Sequence, residues 1–281
     1  MPTTLSCTVF RVKKLLAVTM LTLPLAACDT LDIIGPRPNA ELIALGQQAF
    51  ADGQVLDDAT LAHTRHTQAT QLFDEAERLC GTTESGELPT TCEFERGPGE
   101  TTGNADPTAA ASLATAALLD AAADAPEESL TLLVAQAIDL RAGQAADQTD
   151  TPAGEALDNE KDLDAARAML REEYAAQFGF GMATAYADDA TDARLDELRE
   201  ASDARALALV SALEPTGDVP EAAPGYAFEG VPSPSDAASA GAYAQAQQQA
   251  LIDQWRATAA HAQSDAFRRL AVELAANAQR V

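Results

Sequence analysis

Aromatic residues are scarce in this 281-residue chain, 5% of the total with a single tryptophan. Val, Ile, Thr and aromatics nowhere alternate over a strand's length, which excludes a sheet protein. Lysine is nearly absent beyond residue 27, where Lys161 stands alone against fourteen arginines, and positive charge is short overall: 18 Lys and Arg face 44 Asp and Glu, a formal charge of -26. Such a field repels phosphate backbones and anionic head groups, so nucleic acid is excluded as a partner and no basic patch can draw the chain to a membrane. No apolar run reaches the about 20 residues that a bilayer core demands. Sequences that build catalytic sites are also missing: there is no Gly-x-Ser-x-Gly elbow and no phosphate-cradling glycine loop before a helix. Nor do the acid clusters at Asp188-Asp189 and Asp158 to Asp164 have the alternating ligands, central glycine and closing glutamate of a calcium loop. A solvated acidic surface is the expected role of both.

What is present is alanine in quantity. With 47% hydrophobic and 22% charged residues the chain has the composition of a folded protein, and its apolar share is dominated by the strongest helix former. An all-α fold is expected.

The first residues carry an address. Arg11, Lys13 and Lys14 make a positive segment, and Leu15 to Ala27 is an apolar stretch closing as Leu25-Ala26-Ala27-Cys28, the pattern of a secretory signal peptide over 1–27. The run "LPLAAC" resembles the lipobox of bacterial lipoproteins. The resemblance implies cleavage before Cys28, lipidation of the Cys28 thiol with fatty acyl chains such as palmitate, and attachment to the extracytoplasmic face of the cell membrane, since two or more acyl chains anchor stably. Residues 28–38, with Gly35, Pro36 and Pro38, then form a tether. In an oxidising compartment Cys80 and Cys92 are expected to pair, with Gly81, Gly86 and Pro89 shaping the turn between them. A zinc site is the weaker reading of the pair, because no second Cys or His pair stands at suitable spacing. Cys7 leaves with the signal segment.

Helical periodicity organises the rest. Asn39 caps a helix running to about Ala51 and ended by Gly53. A second runs from about Asp57 to Cys80 with Ala62, His66, Ala69, Phe73, Ala76 and Cys80 on one face. Residues 81–106, rich in Gly, Thr, Glu and Pro, read as a surface excursion held by the disulfide. Helices follow over about 107–123 and 126–146, the latter facing its core with Leu130, Leu133, Ala137 and Leu140. These make a smaller N-terminal helical region, 39–147, and 148–160 reads as a linker. Beyond it, a helix over about 161–187 presents Leu163, Ala166, Leu170, Tyr174, Gln177 and Gly181. Its successor over 192–213 presents Leu195, Leu198, Ser202, Ala206, Leu209 and Leu213. A proline-rich crossing from Pro215 to Pro234 leads to helices over about 235–259, bearing Leu251, Ile252 and Trp255, and 264–279, bearing Phe267, Leu270 and Leu274.

The segments "REEYAAQFGFGMATAYADD", "ARALALVSAL" and "PGYAFEGVPSPSDAASAGAYAQ", in the order helix, helix, crossing, helix, helix, resemble the ferritin-like domain of a family of unknown function in exported proteins of high-GC Gram-positive bacteria. The resemblance covers about 160–281 and implies a ferritin-like four-helix bundle over 161–281. It brings no established activity. Bundles of that kind that hold two metals use Glu-x-x-His pairs on facing helices, and this chain has none. Glu173 sits where a ligand could point inward, but Tyr174 follows it. Ser202, Asp203, Glu273 and Asn277 are scattered singles.

His63 and His66 stand one turn apart, as a chelating pair would. With His66 on the apolar stripe and no third ligand to name, the structural reading is preferred. His261 is expected to cap or to face water, and Tyr226, Phe228 and Trp255 to plug the core beneath the crossing or line a small groove. The expected function is that of a cell-envelope lipoprotein with no catalytic residues, no metal site and no cofactor, binding an envelope protein or ligand. The alternative is a ferritin-like metal-binding or redox protein. A transporter-linked capture protein would need two α/β lobes, and no strands are expected here.

Overall fold

The computed structural model describes residues 35–144, 154–227 and 232–281. Cys28 and the signal segment lie outside them, as do Phe228 and residues 148–153 of the linker. Among the described residues the fold is all-helical with no strand. Eight α-helices occur: α1 Ala40–Val55, α2 Ala59–Cys80, α3 Pro107–Asp124, α4 Glu127–Ala142, α5 Glu160–Thr184, α6 Asp189–Leu213, α7 Ala237–His261 and α8 Asp265–Arg280. None is long and apolar enough to cross a membrane.

The helix starts follow local chemistry. Asn39, Asp58, Asp106, Asn159, Asp188, Asp236 and Ser264 each turn a side-chain oxygen onto free N–H groups of the first turn, satisfying donors that no earlier carbonyl can reach. Gly53, expected to stop α1, lies inside it. Its lack of a side chain serves packing instead: a Cβ there would come within 2.9 Å of the His66 ring, and one at Gly46 within 2.6 Å of Phe73. Two glycines seven residues apart thus receive two rings seven residues apart, and α1 and α2 lie antiparallel and close.

The segment 81–106 is more than a surface excursion. Cys80 and Cys92 form the disulfide, 6.3 Å apart at Cα. A short 3-10 turn at Thr90–Cys92 lets Thr91 Oγ1 donate to the Pro36 carbonyl at 2.6 Å, pinning the end of the tether. Phe94 then packs on Phe73, Arg96 reaches Asp74 and Glu77 of α2 at 2.7 Å, and the Asn104 N–H meets Asp52 of α1 at 2.9 Å. The segment therefore wraps the α1/α2 hairpin.

In the second half α5 and α7 run antiparallel. Asp162 near the start of α5 accepts the N–H groups of Gln263 and Ser264 just past the end of α7, while Glu173 meets Trp255 midway. The crossing follows α5 in its own direction, with Asp218 against Arg167 and Tyr226 against Phe178. It thereby carries the chain from the end of α6 to the far end of the bundle, where Gly241 of α7 lies near Thr191 of α6. So α6 and α7 are parallel, and α5–α8 form a four-helix bundle with one long connection.

The apolar core is continuous through both halves, from Leu42 to Ala278. α8 is its most enclosed element: Ala271, Val272, Leu274, Ala275 and Ala276 are all shut off from solvent. It packs against α4 as well as α7, and Arg141–Glu273, Arg256–Asp139 and Gln279–Asp139 contacts tie it and α7 to α4. Small alanine side chains allow this close approach, so burial is spread thinly over many contacts.

Candidate binding cleft and buried polar ties

α1 and α3 diverge enough to leave a cleft of about 710 Å³ between them, within the range of small-molecule sites. Leu45 and Ala44 of α1 form one wall, Leu113, Ala114, Ala117 and Leu118 of α3 the other, and Leu72 of α2 part of the floor. Leu113 is 64% exposed at the lip. Because the Asn104 N–H is bonded to Asp52, α3 begins beside the second half of α1 and ends beside its start. Thr102 and Asn104 thus stand at one end of the cleft, Glu41 and Asp120 at the other.

The polar part of the floor is preorganised. Asp52 and Arg65 are 1% and 2% exposed. Asp52 Oδ2 accepts from Arg65 Nε at 3.2 Å and Nη2 at 3.0 Å, and Oδ1 accepts from Gln48 Nε2 at 2.7 Å and the Asn104 N–H. Arg65 Nη1 donates to Gln68 Oε1 at 2.7 Å. Gln68 and Gln136 exchange side-chain N–H to main-chain carbonyl bonds, fastening α2 to α4. Burial pushes the Arg65 pKa down and the adjacent Asp52 charge opposes it. A buried ion pair of this kind holds geometry more than it adds stability.

A second tie occupies the centre of the α5–α8 bundle. Glu173, Arg205, Ser202 and Trp255 are all cut off from water. Glu173 Oε1 accepts from Arg205 Nε at 2.7 Å and Trp255 Nε1 at 2.6 Å; Oε2 accepts from Ser202 Oγ at 2.6 Å and Arg205 Nη2 at 3.1 Å. Arg205 Nη1 continues to Asn277 Oδ1 of α8 at 2.8 Å. Four helices are joined through one carboxylate and one guanidinium. The stripe read from sequence holds through Leu163, Ala166 and Leu170, which are buried, and beyond Leu170 the buried face lies one position off it: Glu173, Ala176 and Phe180 are interior, Tyr174 and Gln177 are half-buried, and Gly181 is exposed.

The other sequence candidates disperse. His63 is exposed, and His66 sets its ring edge against Phe50 at 5.2 Å. His261 is exposed with its ring on the Ala257 carbonyl. Asp188 caps α6 and Asp162 holds the α7/α8 turn. Asp203 is exposed, and Glu273 is taken by Arg141. Trp255 is a core residue, while Tyr226 lines a smaller and more polar groove of about 430 Å³ between α5 and α7. Among the described residues no three His, Cys, Asp or Glu side chains gather as metal ligands.

Sequence reasoning missed Asp52, Arg65 and Arg205. Its only signal was the helical phase, which puts Gln48 with Asp52 and Ser202 with Arg205 on single faces. No family model, no curated protein and no solved structure matches this chain.

Proposed function

We propose that the chain is an exported lipoprotein, anchored through Cys28 to the outer face of the cell membrane, whose helical body is a non-enzymatic binding protein with the α1/α3 cleft as its site. The observation that carries the binding role is the cleft itself: apolar walls above a floor whose polar groups are already hydrogen-bonded, so that a ligand need not reorganise it. The "LPLAAC" run supports the anchor, and the Cys80–Cys92 bridge suits an oxidising compartment. We read α5–α8 as ferritin-like, on the parallel run of α6 and α7 and the long crossing between them. A metal or redox role in that bundle would need the Glu173 carboxylate, and both its oxygens are engaged by Arg205, Ser202 and Trp255. Among the described residues of the bundle, the side chains do not fit such a centre.

Two measurements test this. In a bacterial host, labelled palmitate should enter the protein and be lost in Cys28→Ser; incorporation in both or in neither refutes the anchor. The neutral reporter N-phenyl-1-naphthylamine should brighten on adding the protein, and Ala117→Trp, an exposed position on the cleft wall, should abolish the signal without changing Tm. No brightening, or equal brightening in the variant, refutes the site.

A further inference from the structure

The charge around the cleft is lopsided. Arg65 is the only cation in its lining, and that guanidinium is committed to Asp52 and Gln68 beneath the floor. At the end where α1 starts and α3 finishes stand Glu41 and Asp120, both exposed. No cation is paired with Glu41 among the described residues. Asp120 meets Arg269 at 2.6 Å, but those side chains are at least half exposed, where water and salt screen the pair to little effect. The apolar stretch next to these carboxylates, from Leu45 across to Leu113 and Leu118, is left open by the side chains of the described residues.

We propose that the cleft takes an amphipathic cation: an apolar chain or ring lying between α1 and α3, with a protonated amine or guanidinium group at Glu41 and Asp120. This rests on the binding role proposed above and specifies its ligand. Desolvation of the apolar body supplies the affinity, while the two carboxylates supply direction and selectivity. An anionic amphiphile of the same length meets the same walls but brings its head group against Glu41 and Asp120, in the field of a chain carrying a formal -26. A neutral one gains nothing from that end.

The test is competition on the full chain, with N-phenyl-1-naphthylamine as reporter and dodecylamine, dodecanol and dodecanoate, each below its micellar concentration, as competitors. Dodecylamine should displace the reporter at a concentration at least tenfold lower than the other two. The advantage should shrink several-fold in 1 M salt, and collapse towards onefold in Glu41→Gln/Asp120→Asn. That double variant changes exposed side chains only, so its Tm and its affinity for dodecanol should stay as in the parent. Equal displacement by amine and carboxylate, or an advantage that survives the double variant, overturns the ligand class while leaving the cleft a binding site. Absence of reporter uptake by the parent chain removes the site and the ligand together. Uptake that falls as the protein is concentrated, with dimer appearing in sedimentation, would assign the cleft to a second copy of the chain and overturn the proposal.

Discussion

Glu173 and Arg205 meet side-on at the centre of the α5–α8 bundle, Nε to Oε1 at 2.7 Å and Nη2 to Oε2 at 3.1 Å, with both side chains fully enclosed. Removing one partner leaves the other as a buried, uncompensated charge. Arg205→Met should therefore destabilise the protein by about 3–5 kcal/mol. Glu173→Leu combined with Arg205→Met should recover a large part of that loss, because no orphaned charge remains. Urea unfolding of the single and double variants checks this; a double variant no better than Arg205→Met would contradict it.

The disulfide closes a short loop between α2 and the 3-10 turn at Thr90–Cys92. Replacing both cysteines by serine should cost about 3 kcal/mol by the loop-closure argument. The damage should be local, since Phe94 on Phe73 and Arg96 on Asp74 and Glu77 still hold the following residues to α2. Limited proteolysis should accelerate between residues 81 and 92 before it does anywhere in α5–α8.

Gly103 passes over α1 so closely that a Cβ there would lie 2.1 Å from the Ala51 carbonyl oxygen. Backbone cannot yield as a side chain does. Gly103→Ala should lift the segment off α1, break the Asn104 to Asp52 hydrogen bond and cost about 1–3 kcal/mol. Gly225→Ala, with open space around it, should be close to neutral in the same thermal melt.

Acid should weaken the fold through identifiable carboxylates. The Arg78 guanidinium, helped by Ser129 Oγ at 2.5 Å, holds the Glu75 carboxyl below its ordinary range. The Thr191 N–H does the same for Asp188, and the Ser239 side chain and N–H for Asp236. A group whose folded pKa lies below its unfolded value stabilises the fold at pH above the unfolded value, and that contribution is lost as pH falls through the folded one. Tm should therefore be flat from neutral pH down to the ordinary carboxylate range and then decline. Glu75→Gln should start lower at pH 7 and lose less on acidification than the parent. An unchanged acid slope would remove Glu75 from the account.

Helix identity, caps and hairpin order were legible from sequence because they depend on neighbours within a turn or two. Asn39 caps α1 as expected, Leu195 to Leu213 face the core in the stated phase, and alanine content together with the lack of strand-like alternation excluded sheets. Cys80 and Cys92 could be paired because they are the two cysteines beyond Cys28, close in sequence and expected in an oxidising compartment. Only the tertiary structure decided that Gly53 packs against His66 and does not end its helix, that the α5 stripe sits one residue over beyond Leu170, and that Asp52 finds Arg65 and Glu173 finds Arg205. In each case the energy comes from a partner a helix or more away in the chain. A glycine's φ freedom, an alanine-rich helix's rotation and an acid's counterion are nearly degenerate locally, so long-range burial chooses among them. The α1/α3 cleft belongs to this second class: it exists because two hairpins pack at a distance that neither one's sequence specifies.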